Sequence, residues 1–117
     1  MRYALLIRND ENAVVSSEER SRRSAGLTAF QAEMHASGAL LGGEQLEPTE
    51  TAATVQCWDG GDIVIARGPL GGTGEQIAGF LVVDGKDLDD AIGVATRIPA
   101  AWYGTIEVRP VREAGAS

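Results

Sequence analysis

The stretch Asp62-Ile63-Val64-Ile65-Ala66-Arg67-Gly68-Pro69-Leu70-Gly71-Gly72-Thr73-Gly74-Glu75-Gln76-Ile77-Ala78-Gly79-Phe80-Leu81-Val82-Val83 sets a glycine-rich loop between two β-like runs. Residues 62–66 and 77–83 are largely apolar and β-branched, a composition that packs well on a pleated surface. Between them, glycine and proline interrupt any regular element. Upstream, residues 54–58 are joined to 62–66 by Asp59-Gly60-Gly61, and Asp-Gly supplies the positive φ angles that a tight hairpin turn requires. A hairpin therefore precedes the loop and a further strand follows it. Loops held by rigid strands are where binding groups usually sit.

Outward from this centre, residues 3–7 (Tyr-Ala-Leu-Leu-Ile) form a short, continuously apolar run closed by Asn9-Asp10-Glu11. That pattern predicts a first strand buried on both faces. Ser16 followed by Glu19 forms a capping-box signature, so a helix is expected over about residues 17–37. Leu27, Phe30 and Met34 recur on one face, and Gly38 suits a left-handed C-terminal cap. Residues 39–46 resume as a strand before Pro48. After the central loop and strand, Asp87 can cap a second helix carrying Leu88, Ala91, Ile92 and Ala95, which Pro99 should end. Residues 105–109 alternate as a last strand, and the tail 112–117 is expected to be loose.

With the hairpin set aside, the order is βαββαβ, the ferredoxin-like split βαβ motif. The predicted fold is thus α+β, ferredoxin-like with an inserted β-hairpin, in a single domain over residues 1–111. Right-handed crossovers put both helices on one side of the sheet. The other side would then expose large apolar side chains, and the economical resolution is a homodimer packing sheet on sheet.

The 117 residues suffice for one domain. A formal charge of −7 argues against nucleic acid or an anionic membrane as the main partner, because phosphate binding needs a basic patch. The nearest approach to one, Arg20, Arg22 and Arg23, reads as a solvated helix face. The single cysteine, Cys57, excludes an internal disulfide and points to a reducing, cytoplasmic setting. Beside Trp58 in a strand, it reads as a small core hydrophobe. The first apolar run is too short for a signal segment or a membrane span.

The central loop resembles the DGPF loop of the YCII-related small proteins. Gly68, Pro69, Thr73, Glu75, Gln76, Gly79 and Phe80 fit that pattern, while Arg67, Leu70, Gly72 and Gly74 replace the family's usual Asp, Phe, Glu and Lys. Residues 42–48 and 51–55 resemble the family's second-strand segment, 87–91 and 98–100 its second helix, and 103–111 its closing strand. The resemblance implies a dimeric α+β barrel of ferredoxin-like subunits. It also implies an activity that is often unassigned, with suggestions of small-molecule enzymology and of genetic association with sigma factors.

Candidate chemistry is sparse. His35 is the only histidine and so the only side chain whose ordinary pKa lies near neutrality. At the border of the helix's apolar face it can serve as acid or base, or simply be favoured as a cation near a helix C-terminus. Glu44, Glu75 and Glu107 lie on or beside strands, and two carboxylates meeting in a cleft would form an acid/base pair. Glu107 alternates with Ile106 and Val108 as in an ordinary half-exposed strand. The catalytic candidates are therefore His35, Glu44 and Glu75. Arg67, Gly68 and Thr73 are the ligand-binding candidates, with arginine offering a planar fork to a carboxylate or phosphate. Gly72-Thr73-Gly74 is neither a dinucleotide fingerprint nor a P-loop. One histidine and one cysteine cannot form the usual N/S metal sites, and no cofactor is expected. Two readings follow: a small-molecule enzyme or binder with a cleft beside residues 67–75, or a non-catalytic dimeric module acting with a protein partner.

Overall fold

The computed structural model describes residues 1–11, 13–68 and 74–113. The chain runs β1 (Arg2–Asp10), α1 (Ser17–Ala36), β2 (Leu40–Gln45), β3 (Ala53–Cys57), β4 (Ile63–Arg67), β5 (Glu75–Asp84), α2 (Leu88–Thr96) and β6 (Thr105–Pro110), with short 3-10 turns at Thr49–Thr51 and Pro99–Trp102. The two helices start where side chains satisfy free amides. The Ser16 hydroxyl accepts the Glu19 N–H at 3.0 Å, and the Asp87 carboxylate accepts the Asp90 N–H at 2.8 Å. At the other end of α1, Gly38 takes φ +79° and its N–H reaches the His35 carbonyl at 3.0 Å. The second helix stops at Thr96, short of Pro99, because the residue before a proline avoids the helical region and Ile98 is extended.

Four strands form an antiparallel sheet in the order β2-β5-β1-β6. Residues 3–7 are continuously apolar and 77–83 largely so, yet the two faces of the sheet differ. Tyr3, Leu5 and Ile7 of β1 and Leu81 and Val83 of β5 are buried with Phe30 and Met34 of α1, Ala91 of α2, and Ile98. Leu5 lies opposite Leu81 on one side and Val108 on the other, so one row of the sheet is apolar from strand to strand under the helices. Ala4, Leu6, Phe80 and Val82 occupy the reverse face, only half-buried. A β-bulge interrupts the β1–β5 pairing: Ile7 faces Gly79 and Arg8 faces Ile77, leaving Ala78 without a partner across the strand. The architecture is mixed α+β with antiparallel sheets, compatible with a ferredoxin-like arrangement.

The strands β3 and β4 pair with each other as a separate two-stranded sheet, Val55 opposite Ile65 and Cys57 opposite Ile63. The Gly60 and Gly61 turn takes φ +97° and +94°, as the Asp-Gly-Gly sequence predicts. This arm carries no buried residue. Cys57 is therefore exposed rather than a core residue, because its strand lies outside the four-stranded sheet that the helices cover. Among the described residues no helix is long and apolar enough to cross a membrane.

Candidate functional site

The N-terminal half of α1 lies over the end of the sheet where β1 and β5 bulge apart, and a cleft of about 220 Å³ opens there. Ile7, Asn9 and Asp10 of β1 line it from one side, Arg20, Arg23 and Leu27 of α1 from the other, and Glu44, Ala78 and Tyr103 close its ends. Arg23 is held in place twice. Its Nε donates to Glu19 Oε1 at 3.1 Å, and its guanidinium carbon sits 3.8 Å from the centre of the Tyr103 ring. Arg22, one residue earlier, turns outward and pairs with the other Glu19 oxygen at 2.6 Å. Arg20 makes no ion pair among the described residues, so its guanidinium is available to the cleft. Glu11 is committed to structure, since both its oxygens accept from Thr49.

The titration of Tyr103 is displaced upward. Burial pushes its phenol above the ordinary value of 10.0, the Arg23 charge pulls it back, and Glu19 adds a smaller upward push. A group whose folded pKa is raised contributes stability below its unfolded pKa and loses it as pH rises through the folded value. The expected result is that the phenolate absorbance of Tyr103, isolated as the difference between the parent and Tyr103→Phe, appears above pH 10. In Arg23→Ala the same titration should move higher still. A downward move on removing Arg23 would mean that the ring and the guanidinium do not meet in solution.

The candidates read from sequence fall in different places. Glu44 is exposed on β2 and borders both this cleft and a more open groove of about 660 Å³ between α1 and β2. His35, exposed in the last turn of α1, lines that groove, so the structure brings His35 and Glu44 to one hollow. Glu75 stands on the reverse side of the sheet, where it accepts from the Thr105 hydroxyl at 2.7 Å. The Arg67 side chain is exposed at the end of β4. Neither Glu75 nor Arg67 lines these two hollows, nor a third of about 480 Å³ bordered by Arg8, Leu46, Thr49 and Ile77. Gly68 takes φ +98° and closes the base of the arm, its N–H bonded to Ala52 O at 2.8 Å and its carbonyl accepting from Thr54 Oγ1 at 2.6 Å. Thr73 lies outside the described residues. Glu107 is occupied by Arg8 and Arg109. Among the described residues no group of three or more His, Cys, Asp or Glu side chains is placed to hold a metal ion.

Arg20 and Arg22 are exposed, as a solvated helix face requires, while Arg23 is half-buried against Tyr103, and helical spacing carries the signal for it. Positions 20, 23, 27, 30 and 34 follow one another at intervals of three and four, so the arginines continue the stripe of Leu27, Phe30 and Met34. Charge makes that stripe look finished about two turns early.

The model of the YCII-related domain matches residues 1–114. An uncharacterized protein of Rhizobium meliloti (strain 1021) is 36% identical over 115 residues, covering 95% of this chain and 92% of the relative. With nearly the whole length matched on both counts, the chain belongs to the YCII-related domain family.

Proposed function

We propose that this protein binds a small anionic molecule in the cleft between α1 and the bulged end of the sheet, as an enzyme or a ligand-binding protein. The observation that carries the reading is the pair of arginines converging there, Arg23 fixed against Tyr103 and Arg20 unpaired among the described residues. A guanidinium fork suits a carboxylate or a phosphate, and the apolar walls supplied by Ile7 and Leu27 suit a short hydrocarbon part. Glu44, at the cleft's edge but opposite Phe80 on the reverse side of the sheet, and His35, further along the adjoining groove, are the acid/base candidates, and Asp10 is a carboxylate in the cleft wall itself.

A second placement puts the ligand beside the 67–75 loop, with Arg67, Gly68 and Thr73 as binding groups and Glu75 as acid or base. Among the described residues Arg67 and Glu75 line none of the three hollows, and residues 69–73 lie outside the described residues. Both placements fit a homodimer of the dimeric α+β barrel type, joined across the reverse face of the sheet. The uncovered Leu6, Phe80 and Val82 favour that assembly, and neither nucleic acid nor membrane is assigned as a partner.

The test is a thermal-shift and calorimetric screen of the purified chain against aliphatic and aromatic carboxylates and phosphate monoesters. A compound that binds the folded state raises the melting temperature by mass action. Arg20→Ala should weaken its binding by roughly 10- to 100-fold, the loss of a charge-assisted hydrogen bond of about 1.5–3 kcal/mol. Parent-like affinity in both Arg20→Ala and Arg23→Ala would reject the cleft, and loss of binding in Arg67→Ala would select the loop.

A further inference from the structure

We propose that the β3–β4 arm is a dimer clasp, the apolar face of the hairpin in one copy packing on the reverse face of the sheet in a second copy. Val55 and Ile65 stand opposite each other, as do Cys57 and Ile63, so all four share one side of the arm. Val55, Ile63 and Ile65 are 59%, 65% and 68% exposed. The only charged side chain on that side is Arg67, opposite Ala53 at the root of the arm. An isolated two-stranded hairpin is marginally stable in water, and this one pairs only with itself. The arm also leaves the molecule spread out, with a radius of gyration of 16.3 Å where a compact chain of this length has about 13–14 Å.

A second copy of the chain is the occupant that fits. The complement of an apolar ribbon is an uncovered apolar surface, and this molecule carries one on its own reverse sheet face, around Leu6 and Phe80, edged by Glu107 and Glu44 on the flanking strands. That surface reaches the root of the arm through Leu46 and Ile77, which are 49% and 40% exposed beside the third hollow. The area argument agrees. A stable interface needs roughly 800 Å² from each partner. An arm presenting a few hundred Å², the range in which a patch marks an interaction site, reaches that figure only together with the sheet. In a two-fold dimer each copy supplies both parts, so the contact is self-complementary. The net charge of −7 opposes association of two copies, which leaves apolar contact to drive it.

The inference rests on the homodimer reading, and one experiment separates the two. Sedimentation velocity of the full chain over a micromolar concentration series should show a dimer. Ile63→Asp combined with Ile65→Asp should weaken it by about tenfold or more, with the far-UV circular dichroism of the parent retained because both positions are exposed within one copy. A parent that stays monomeric overturns dimer and clasp together. A variant that dimerises as tightly as the parent overturns the clasp alone. Hydrogen exchange of the unaltered chain provides a check free of any folding defect: amides of 53–57 and 63–67 should exchange more slowly in the dimer than at dilutions that give monomer, and equal rates in both would reject the clasp.

Discussion

Leu81→Asp is expected to unfold the protein, giving a chain without cooperative thermal unfolding by circular dichroism. Leu81 is 1% exposed, faces the fully buried Leu5 across the β1–β5 pairing, and lies under the helices in the apolar row that continues through Val108. A carboxylate there finds no cation. An unpaired buried charge costs about 3–5 kcal/mol, on top of the roughly 2–5 kcal/mol lost with the leucine side chain itself. Together these approach the total stability of an ordinary domain, about 5–15 kcal/mol. Leu81→Ala should retain the fold at a lower melting temperature, showing that burial is the cause. Val82→Asp, one residue on and on the opposite face, should leave the single copy folded. A parent-like melting temperature for Leu81→Asp would mean that the helices do not cover this face.

Gly104→Ala is expected to lower the melting temperature by roughly 10 °C or more. A Cβ at position 104 would lie 2.2 Å from the carbonyl oxygen of Arg8. No rotamer change relieves that contact, because the obstacle is the backbone of the central strand at the point where β6 begins to pair with it. Overpacking of a kind that moves backbone costs about 3 kcal/mol. Gly93→Ala, at a helical position with nothing within 4 Å of the added carbon, serves as the control and should be neutral or slightly stabilising. Equal stability of the Gly104 and Gly93 variants would show that β6 starts elsewhere.

Much of this architecture is readable from local chemistry. Ser16 and Asp87 cap the helices as their sequence signatures predict, Asp59-Gly60-Gly61 turns the chain, and the ends of the strands differ from those read in sequence by up to three residues. Which face of a strand is covered is less legible. Leu5-Leu6-Ile7 and Phe80-Leu81-Val82-Val83 are apolar at every position, so their sequences alone do not say that Leu5 and Leu81 meet helices while Leu6 and Phe80 do not. The exposure of Cys57 is no more legible, for a related reason: an apolar strand in a hairpin looks like a core strand until the pairing partners are known. The cleft is legible only in hindsight. Its arginines extend an apolar stripe by helical spacing, while Tyr103 reaches it from the turn after Pro99, some eighty residues later in the chain.

The bulge at Ala78 has a consequence for how this strand tolerates change. Because Ala78 is surplus to the β1–β5 pairing, removing it would leave Gly79 opposite Ile7 and Ile77 opposite Arg8, with every side chain beyond on its present side, at the cost of the bond its carbonyl accepts from the Leu46 N–H at 2.8 Å. Removing any neighbouring residue with the bulge retained would exchange the two sides from that point to the strand end. The strand thus holds one position at which its length can vary without altering its parity. That position is also in the wall of the cleft, so a length change at Ala78 would reshape the cleft while leaving the helix-covered row of the sheet in register.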